Sequence, residues 1–331
     1  MGCGDLFLSI LDEDKLYNCL FVPLLMKLKI IDEKSGNPFE YFPDEEHHIE
    51  GYARNYEKPE SVAKVMGGLV RILNLPSKAD CLEIGASNNF KPSRSLNQQG
   101  MCVATLDADC NIQRHTDIAT YDAYKDMKKQ LGSQILIPRI AGRDGPITNY
   151  LGDLAFVLDE QSSIRNQRFN FVYFWGSMYW GDTCSSVEWS QTASDWCQIK
   201  IPFPERILKA VHLIKEGGRL FSTSTVFSGH AGEKPSYIAY SNQVIVDSAL
   251  YLATAGPIKA KTIGLIGQSE EATRKKFGAF PNPLEEIIQK KLYSCFGDNN
   301  DYQGLRKAMA DIENLKALDR LGMVDAMFLE F

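Results

Sequence analysis

The chain has 331 residues, of which 44% are hydrophobic and 24% charged, so it can form one large α/β domain or two smaller ones with an ordinary core. Its formal net charge of -6 argues against a broad nucleic-acid surface, which needs clustered lysine and arginine. None of its eight cysteines is spaced as C-x-x-C, so we expect no metal site of the zinc type.

The N-terminal region carries no targeting signal that we recognise. Acidic residues interrupt its first apolar run, unlike a secretory signal. The apolar stretch 19–31 is too short to span a bilayer and is broken by Pro23, Lys27 and Lys29. We therefore expect a cytoplasmic protein without a membrane span.

Apolar residues at helical spacing predict a helical N-terminal extension over residues 1–75, followed by a main domain over 76–331. Within the extension, a first helix is predicted from Leu6 to Ile31 and a second over 60–75. A polar loop, 33–51, separates them. The apolar stripe of the second helix consists of Val62, Val65, Met66, Leu69, Ile72 and Leu73.

From residue 79 onward, strand-like and helix-like segments alternate along the chain. This alternation predicts an α/β fold with a doubly wound, mostly parallel sheet. The predicted helices are 93–99, 120–131, 146–160 and 201–218. The predicted strands are 79–85, 101–107, 134–140, 168–176, 219–225, 260–267 and a last strand at 324–331.

The stretch 79-ADCLEIGASNNF-90 combines the first of these strands with a turn of small residues. Ligands of open parallel sheets bind beyond the carboxyl ends of the strands. Gly85 and Ala86 would let the backbone approach a ligand closely, and Asn89 adopts a positive φ readily. Ser87 and Phe90 replace the later glycines of the dinucleotide fingerprint, which favours a ligand without a pyrophosphate.

Two carboxylates accompany this turn. Glu83 lies inside the strand, two residues before Gly85, and Asp107 closes the second strand 22 residues after Gly85. A carboxylate in the second position can accept hydrogen bonds from both hydroxyls of a ribose. The other interpretation of Glu83 is a buried carboxylate that caps neighbouring backbone groups.

These motifs resemble those of the class I S-adenosylmethionine-dependent methyltransferases. The first motif of that family, apolar-(Asp/Glu)-apolar-Gly-x-Gly-x-Gly, is similar to LEIGASNN, in which Ser87 and Asn89 replace the second and third glycines. Its fourth-strand motif is similar to 169-FNFVYFWGSMYW-180, in which Asn170 replaces the usual Asp. The family ends in a reversed seventh strand, which VDAMFLEF at 324–331 resembles.

The resemblance covers about residues 52–331 and implies a seven-stranded Rossmann-like sheet that binds S-adenosylmethionine. It implies that the turn binds the methionine portion and the ribose, with Glu83 near the ammonium and Asp107 on the ribose. An acid after the third strand would read the adenine amino group, and Asp144 and Asp117 compete for this role. The implied cofactor-binding residues are Glu83, Gly85, Ala86, Ser87, Asn89, Asp107, Ala108, Asp144 and Trp175.

Methyl transfer from a sulfonium is an in-line displacement, so alignment supplies much of the catalysis and a base is needed only for a protonated acceptor. His230, in a glycine-rich loop, is the candidate base or lid residue, or simply an exposed loop histidine. Tyr179 would orient the acceptor, or only line the pocket. We expect methylation of an O or N atom of a small, aromatic-containing molecule, because the chain is acidic and aromatic residues follow the fourth strand. A protein acceptor and a catalytically degenerate binding protein are the alternatives.

Overall fold

The structure is a computed structural model. It describes residues 27–32, 59–86, 91–107, 137–175, 203–223, 260–278 and 320–331, together with Asn242, Ile245, Val246, Ala249, Leu252, Ala253, Ile258 and Glu286. The predicted helix at 120–131 lies outside these residues. So do several candidate site residues, namely Ser87, Asn89, Ala108, Tyr179 and His230.

Within the described ranges, nine strands form a single mixed sheet. They are β1 (Lys27–Asp32), β2 (Asp80–Ile84), β3 (Cys102–Asp107), β4 (Arg139–Asp144), β5 (Ile147–Leu151), β6 (Phe169–Phe174), β7 (Ile214–Thr223), β8 (Thr262–Ser269) and β9 (Leu321–Glu330). Their order across the sheet is β1-β8-β9-β7-β6-β2-β3-β5-β4.

The centre of the sheet confirms the predicted doubly wound arrangement. The strands β5, β3, β2, β6 and β7 lie side by side and are all parallel. The chain moves outward from β2 to β3 and β5, and then returns to β6 on the other side of β2. Strand order therefore reverses between β2 and β6, which is where ligands bind in open sheets of this kind.

The reversed C-terminal strand is also confirmed. β9 lies between β7 and β8 and is antiparallel to both. The backbone of Phe331 continues the pairing, because its N–H donates to Gly218 and its carbonyl accepts from Gly217. A strand at the end of the described chain needs such pairing on both sides to stay in place.

Helices cover both faces of the sheet. They are α1 (Pro59–Ile72), α2 (Lys91–Gln98), α3 (Phe203–His212) and α4 (Glu270–Phe277). The predicted stripe of α1, including Val62, Met66 and Leu69, packs in one cluster with the strand residues Phe171 and Phe328. The opposite face forms a second cluster, in which Ile207 and Val211 of α3 join residues of the central strands. Among the described residues, no helix is both long and apolar enough to cross a membrane.

The strand count corrects the predicted seven, because the described sheet includes β1 and β4 as additional strands. The prediction of a first helix ending at Ile31 is wrong for residues 27–31, since they form β1, parallel to β8. The sequence KLKI at 27–30 alternates polar and apolar residues, and this period suits a strand better than a helix. The division into an extension over 1–75 and a main domain stays a prediction.

The predicted strand at 134–140, of which residues 137–140 are described, and the predicted helix at 146–160 are also corrected. The chain instead forms an antiparallel hairpin of β4 and β5, and β5 is the strand that pairs with β3. Gly145 turns the hairpin with φ 59, and Asp-Gly is a strong signal for such turns. A short 3-10 turn, Leu154–Phe156, follows β5 in place of a helix.

The predicted helix over 201–218 ends early, at His212, and β7 begins at Ile214. Gly217 and Gly218 therefore lie inside β7, where the pairing with β6 shifts register. Gly217 has φ 73, and a Cβ atom at Gly218 would lie 2.8 Å from the carbonyl oxygen of Lys215. The two glycines thus permit an irregularity within a strand, whereas the sequence suggested the end of a helix.

We expect Gly264→Ala to destabilise the fold by about 1–3 kcal/mol, because it overpacks the contact between β8 and β9. A Cβ atom at Gly264 would lie 1.9 Å from the ring of Phe328, whose other contacts include Lys29 Nζ at 5.6 Å from the ring centre. Urea unfolding would measure the change. The matched control is Gly67→Ala in α1, where the nearest atom would lie 3.6 Å away and the helix should gain stability. Equal effects of the two substitutions would contradict the packing argument.

Candidate active site

The carboxyl ends of the central strands place several predicted site residues along one edge of the sheet. Ile84 at the end of β2 pairs with Leu106 of β3 and with Phe174 of β6. Gly85, Asp107 and Trp175 are each the next residue along these three strands, so they lie beside one another. They surround the point at which the strand order reverses.

Gly85 makes the turn that leaves β2. Its φ is 75, a conformation that favours glycine, and its N–H donates a 2.8 Å hydrogen bond to the carbonyl of Leu106. The ladder with β3 therefore continues into the turn while the chain changes direction. Ala86 follows and is 3% exposed. A glycine is required here by the backbone itself, whatever the turn binds.

Glu83 lies one layer beneath this turn and is 2% exposed. Ser93 Oγ, from α2, and the Tyr173 hydroxyl, from β6, both donate to Glu83 Oε2, the latter over 3.1 Å. The two hydroxyl oxygens are themselves 3.1 Å apart. Because one carboxylate contacts a strand and a helix, Glu83 ties β2 to both of the elements beside the turn. These contacts keep Glu83 buried beneath the turn rather than in the open.

The surroundings of Glu83 raise its pKa from 4.5 to about 7. Burial is the main cause, and the negative charge of Asp107 adds to it, whereas the hydrogen bonds from Ser93 and Tyr173 act in the opposite direction. Burial and the nearby Glu83 also raise the pKa of Tyr173 well above its ordinary value, so its hydroxyl remains a donor. This carboxyl group consequently changes its charge near neutral pH.

Asp107 ends β3 next to Gly85 and is 6% exposed. Its backbone carbonyl accepts a 2.9 Å hydrogen bond from the N–H of Gly152, which follows β5. Asp107 thus lies between the turn after β2 and the turn after β5. This is the position in which a carboxylate can face a ligand that crosses the edge from β2 toward β5.

A row of polar side chains, unforeseen in the sequence, crosses the sheet beneath this edge. Tyr173, Glu83, Thr105 and Asn149 occupy matching positions on β6, β2, β3 and β5. Thr105 Oγ1 donates a 2.7 Å hydrogen bond to Asn149 Oδ1, and both side chains are fully buried. The signal in the sequence was one polar residue at the same depth in each apolar strand.

The structure does not bring Asp144 to this site. Asp144 pairs with Ile147 at the amino end of β5, whereas Leu151 at the other end of β5 pairs with Asp107. Four residues of strand correspond to about 13 Å, so Asp144 lies near the opposite edge of the sheet. There it forms an ion pair with Arg94 at 2.9 Å. The error came from the misplaced third strand, and the competing Asp117 lies outside the described residues.

Asp153 is the acid that follows the third parallel strand in the structure. It comes two residues after Leu151, is fully buried, and caps the 3-10 turn by accepting a 2.8 Å hydrogen bond from the N–H of Ala155. The sequence ITNYLGD, a short strand-like run that ends in a glycine and an acid, contained this information. The predicted helix over 146–160 concealed it.

Trp175 and Asn170 lie at opposite ends of β6. Trp175 reaches the site edge, is 5% exposed, and packs with its ring centre 5.9 Å from that of Phe221. Asn170 lies near the start of β6, where its Oδ1 accepts from the Asp80 N–H at 3.0 Å and from Lys215 Nζ at 3.3 Å. The replacement of the usual Asp by Asn170 therefore affects the far edge of the sheet and leaves the site untouched.

Comparisons with solved structures find methyltransferases at low similarity. A provisionally named sarcosine dimethylglycine methyltransferase from Galdieria sulphuraria is 13% identical, with 91% of this chain and 98% of that chain covered and a TM-score of 0.35. The phosphoethanolamine N-methyltransferase 2 of Haemonchus contortus, solved with S-adenosylhomocysteine, is 12% identical over 88% of this chain and 59% of that chain, with a TM-score of 0.34. The CcbJ methyltransferase of Streptomyces caelestis is 11% identical over 55% and 56% of the two chains, with a TM-score of 0.29.

No protein-family model matches the sequence, and no curated protein matches it. Because the TM-scores are low, the assignment of the fold rests on the strand order and register of this sheet. Both agree with the doubly wound arrangement and the reversed last strand that the motifs predicted.

Proposed function

We propose that this chain binds S-adenosylmethionine at the carboxyl edge of β2 and β3 and transfers its methyl group to an O or N atom of a small, aromatic-containing molecule. The observation that carries the proposal is the placement of the buried Asp107 carboxylate beside the positive-φ turn at Gly85, where the strand order reverses. The residues fit the cofactor, since an acid for the ribose and a turn open to close backbone approach are adjacent.

The roles of the described residues follow from their positions. Asp107 would accept hydrogen bonds from the ribose hydroxyls, and the backbone at Gly85 and Ala86 would contact the methionine portion. Glu83 would hold the turn from below through Ser93 and, when ionised, would attract the ammonium group. Asp153, which follows β5, would take the adenine role for which the resemblance left Asp144 and Asp117 in competition.

The cofactor supplies a methyl group that is already activated by its sulfonium. The protein has then to align an acceptor and exclude water, and the aromatic Trp175 at the edge suits a contact with the positive sulfur. His230 and Tyr179 remain the proposed base or lid residue and the proposed orienting residue. The net charge of -6 supports a small acceptor over a polyanionic one.

Titration calorimetry tests the cofactor first, with S-adenosylmethionine, S-adenosylhomocysteine and, as a control, NAD. We expect micromolar binding of the first two and none of NAD, because the turn lacks the glycines that a pyrophosphate requires. Binding of NAD alone would overturn the proposal in favour of a dehydrogenase.

A catalytically degenerate binding protein is the second candidate, and Ser87 and Asn89 at glycine positions of the motif favour it. Slow formation of S-adenosylhomocysteine by the purified protein without an added acceptor would count against this candidate. Cofactor binding with no turnover across an acceptor screen that includes proteins would support it.

A further inference from the structure

A second group of buried polar side chains lies farther along the same edge of the sheet. Thr223 ends β7 and pairs with Ala326 of β9, Asp325 precedes Ala326 in the middle of β9, and Gln268 lies near the end of β8. Their exposed fractions are 5%, 2% and 3%, respectively. β7 is the neighbour of β6, which ends at Trp175, so this group begins where the proposed cofactor site stops.

Asp325 occupies a β-bulge. Ile266 pairs with Ala326 and Gly267 pairs with Val324, so no residue of β8 stands opposite Asp325. Bulges re-aim side chains and are frequent beside active sites. The bulge depends on Gly267, because a Cβ atom there would lie 1.9 Å from a backbone oxygen of β9. The local irregularity of β8 and β9 is thus centred on Asp325.

The bulge is clamped from behind by a fully buried asparagine, Asn242. Its Nδ2 donates a 2.9 Å hydrogen bond to the carbonyl of Gly322, and its Oδ1 accepts one of 2.9 Å from the N–H of Val324. Gln268 Nε2 lies 3.4 Å from Asp325 Oδ2. The carboxylate is therefore held on a rigid support, as a binding residue must be.

Packing alone does not account for Asp325. The buried part of β9 reads LGMVDAMFL, and Asp325 is the single ionisable residue in it. An apolar side chain would fill this space without the desolvation cost of a carboxylate. Asp325 lies at the edge of the sheet where ligands bind, so its charge can serve to contact a ligand, a role that packing does not require.

The spacing along the edge suits a cofactor and an acceptor placed end to end. β3 and β9 are four strands apart in the sheet, which corresponds to about 19 Å between the backbones of Asp107 and Asp325. We propose that the Asp325 carboxylate accepts a hydrogen bond from the acceptor atom that is methylated, and so selects a hydroxyl or an amine as the acceptor group. This inference rests on the proposed function, since it requires the cofactor ribose at Asp107.

Sinefungin provides a probe that needs no acceptor, because it carries an amine where S-adenosylmethionine carries its methyl group. A carboxylate beside the acceptor atom would attract that ammonium. We expect sinefungin to bind the wild-type protein about tenfold more tightly than S-adenosylhomocysteine does, and Asp325→Asn to remove this preference while leaving S-adenosylhomocysteine affinity unchanged. Asp144→Asn, at the opposite edge, is the matched control and should change neither affinity.

The outcomes separate the two proposals. Equal affinity of the wild-type protein for sinefungin and S-adenosylhomocysteine would overturn the role of Asp325 even if the variant failed to fold, and would leave the proposed function intact. A preference that persists in Asp325→Asn would overturn it as well. Absence of binding by both ligands to the wild-type protein would overturn the proposed function and this inference with it.

Discussion

Asp107→Ala is expected to weaken the binding of S-adenosylhomocysteine by on the order of 1–3 kcal/mol, because two ribose hydroxyls would lose their hydrogen-bond acceptor. Asp107 is the last residue of β3, lies beside Gly85 and is 6% exposed. Water would therefore replace its carboxylate poorly in the variant. Calorimetry on the wild-type and variant proteins measures the difference directly.

The same experiment can exclude a general loss of structure as the cause. An analogue of S-adenosylhomocysteine that lacks the ribose hydroxyls should bind the wild-type protein and Asp107→Ala with nearly equal affinity. This analogue cannot form the hydrogen bonds to Asp107 in either protein, so the substitution removes nothing from its binding. Asp144→Ala should bind both ligands like the wild-type protein. An equal loss for the two ligands would refute the ribose role and indicate that Asp107 only supports the turn.

The central part of the fold could be predicted because its signals are local. Apolar strands such as ADCLEIG and RFNFVYFW are bounded by turns, and the stripe of α1 has an unambiguous helical period. The C-terminal strand was recognisable for a related reason, since VDAMFLEF is too apolar to remain unpaired. Each of these features depends on residues that are neighbours in the sequence.

The parts that could not be predicted depend on partners that are distant in the sequence. β1 is a strand because β8, more than 200 residues later, provides its pairing edge. In the sequence, Gly217 and Gly218 indicate the end of a helix. In the structure they instead allow β7 to shift register against β6. A glycine pair marks an irregularity without saying whether a helix or a strand contains it.

The residues of the candidate site also differ in whether their signals are local in the sequence. Gly85 and Asp107 were identified because the first turn and the end of the second strand are local landmarks. Asp153 was missed because the third strand was placed about ten residues too early, which moved the search for an acid to Asp144. Asp325 gave only one local signal, a single charge in an apolar run, and the register of β8 against β9 is what reveals that it lies in a bulge.

Glu83 should make the stability of the protein fall as the pH rises from about 4.5 to about 7. Its pKa is raised to about 7 in the fold, mainly by burial, whereas an unfolded glutamate titrates near 4.5. The folded state therefore binds more protons than the unfolded state across this window, and the free energy of unfolding must decline with pH there. The contribution of protonated Glu83 to the free energy of unfolding is complete below about pH 4.5 and lost above about pH 7. A shift of this size corresponds to about 3 kcal/mol.

Glu83→Gln tests this dependence, because the amide is neutral at every pH while it retains the shape of the protonated acid. We expect urea unfolding at pH 5 to give similar free energies for the variant and the wild-type protein. At pH 8 the variant should be the more stable by up to about 3 kcal/mol, since the wild-type protein then holds a buried charge. Glu216→Gln, at an exposed position of β7, is the control and should follow the wild-type curve. If the free energies of unfolding of the wild-type protein and Glu83→Gln instead ran parallel with pH, Glu83 would be ionised in the fold throughout this range. A bound ammonium group would then not be needed to keep Glu83 ionised.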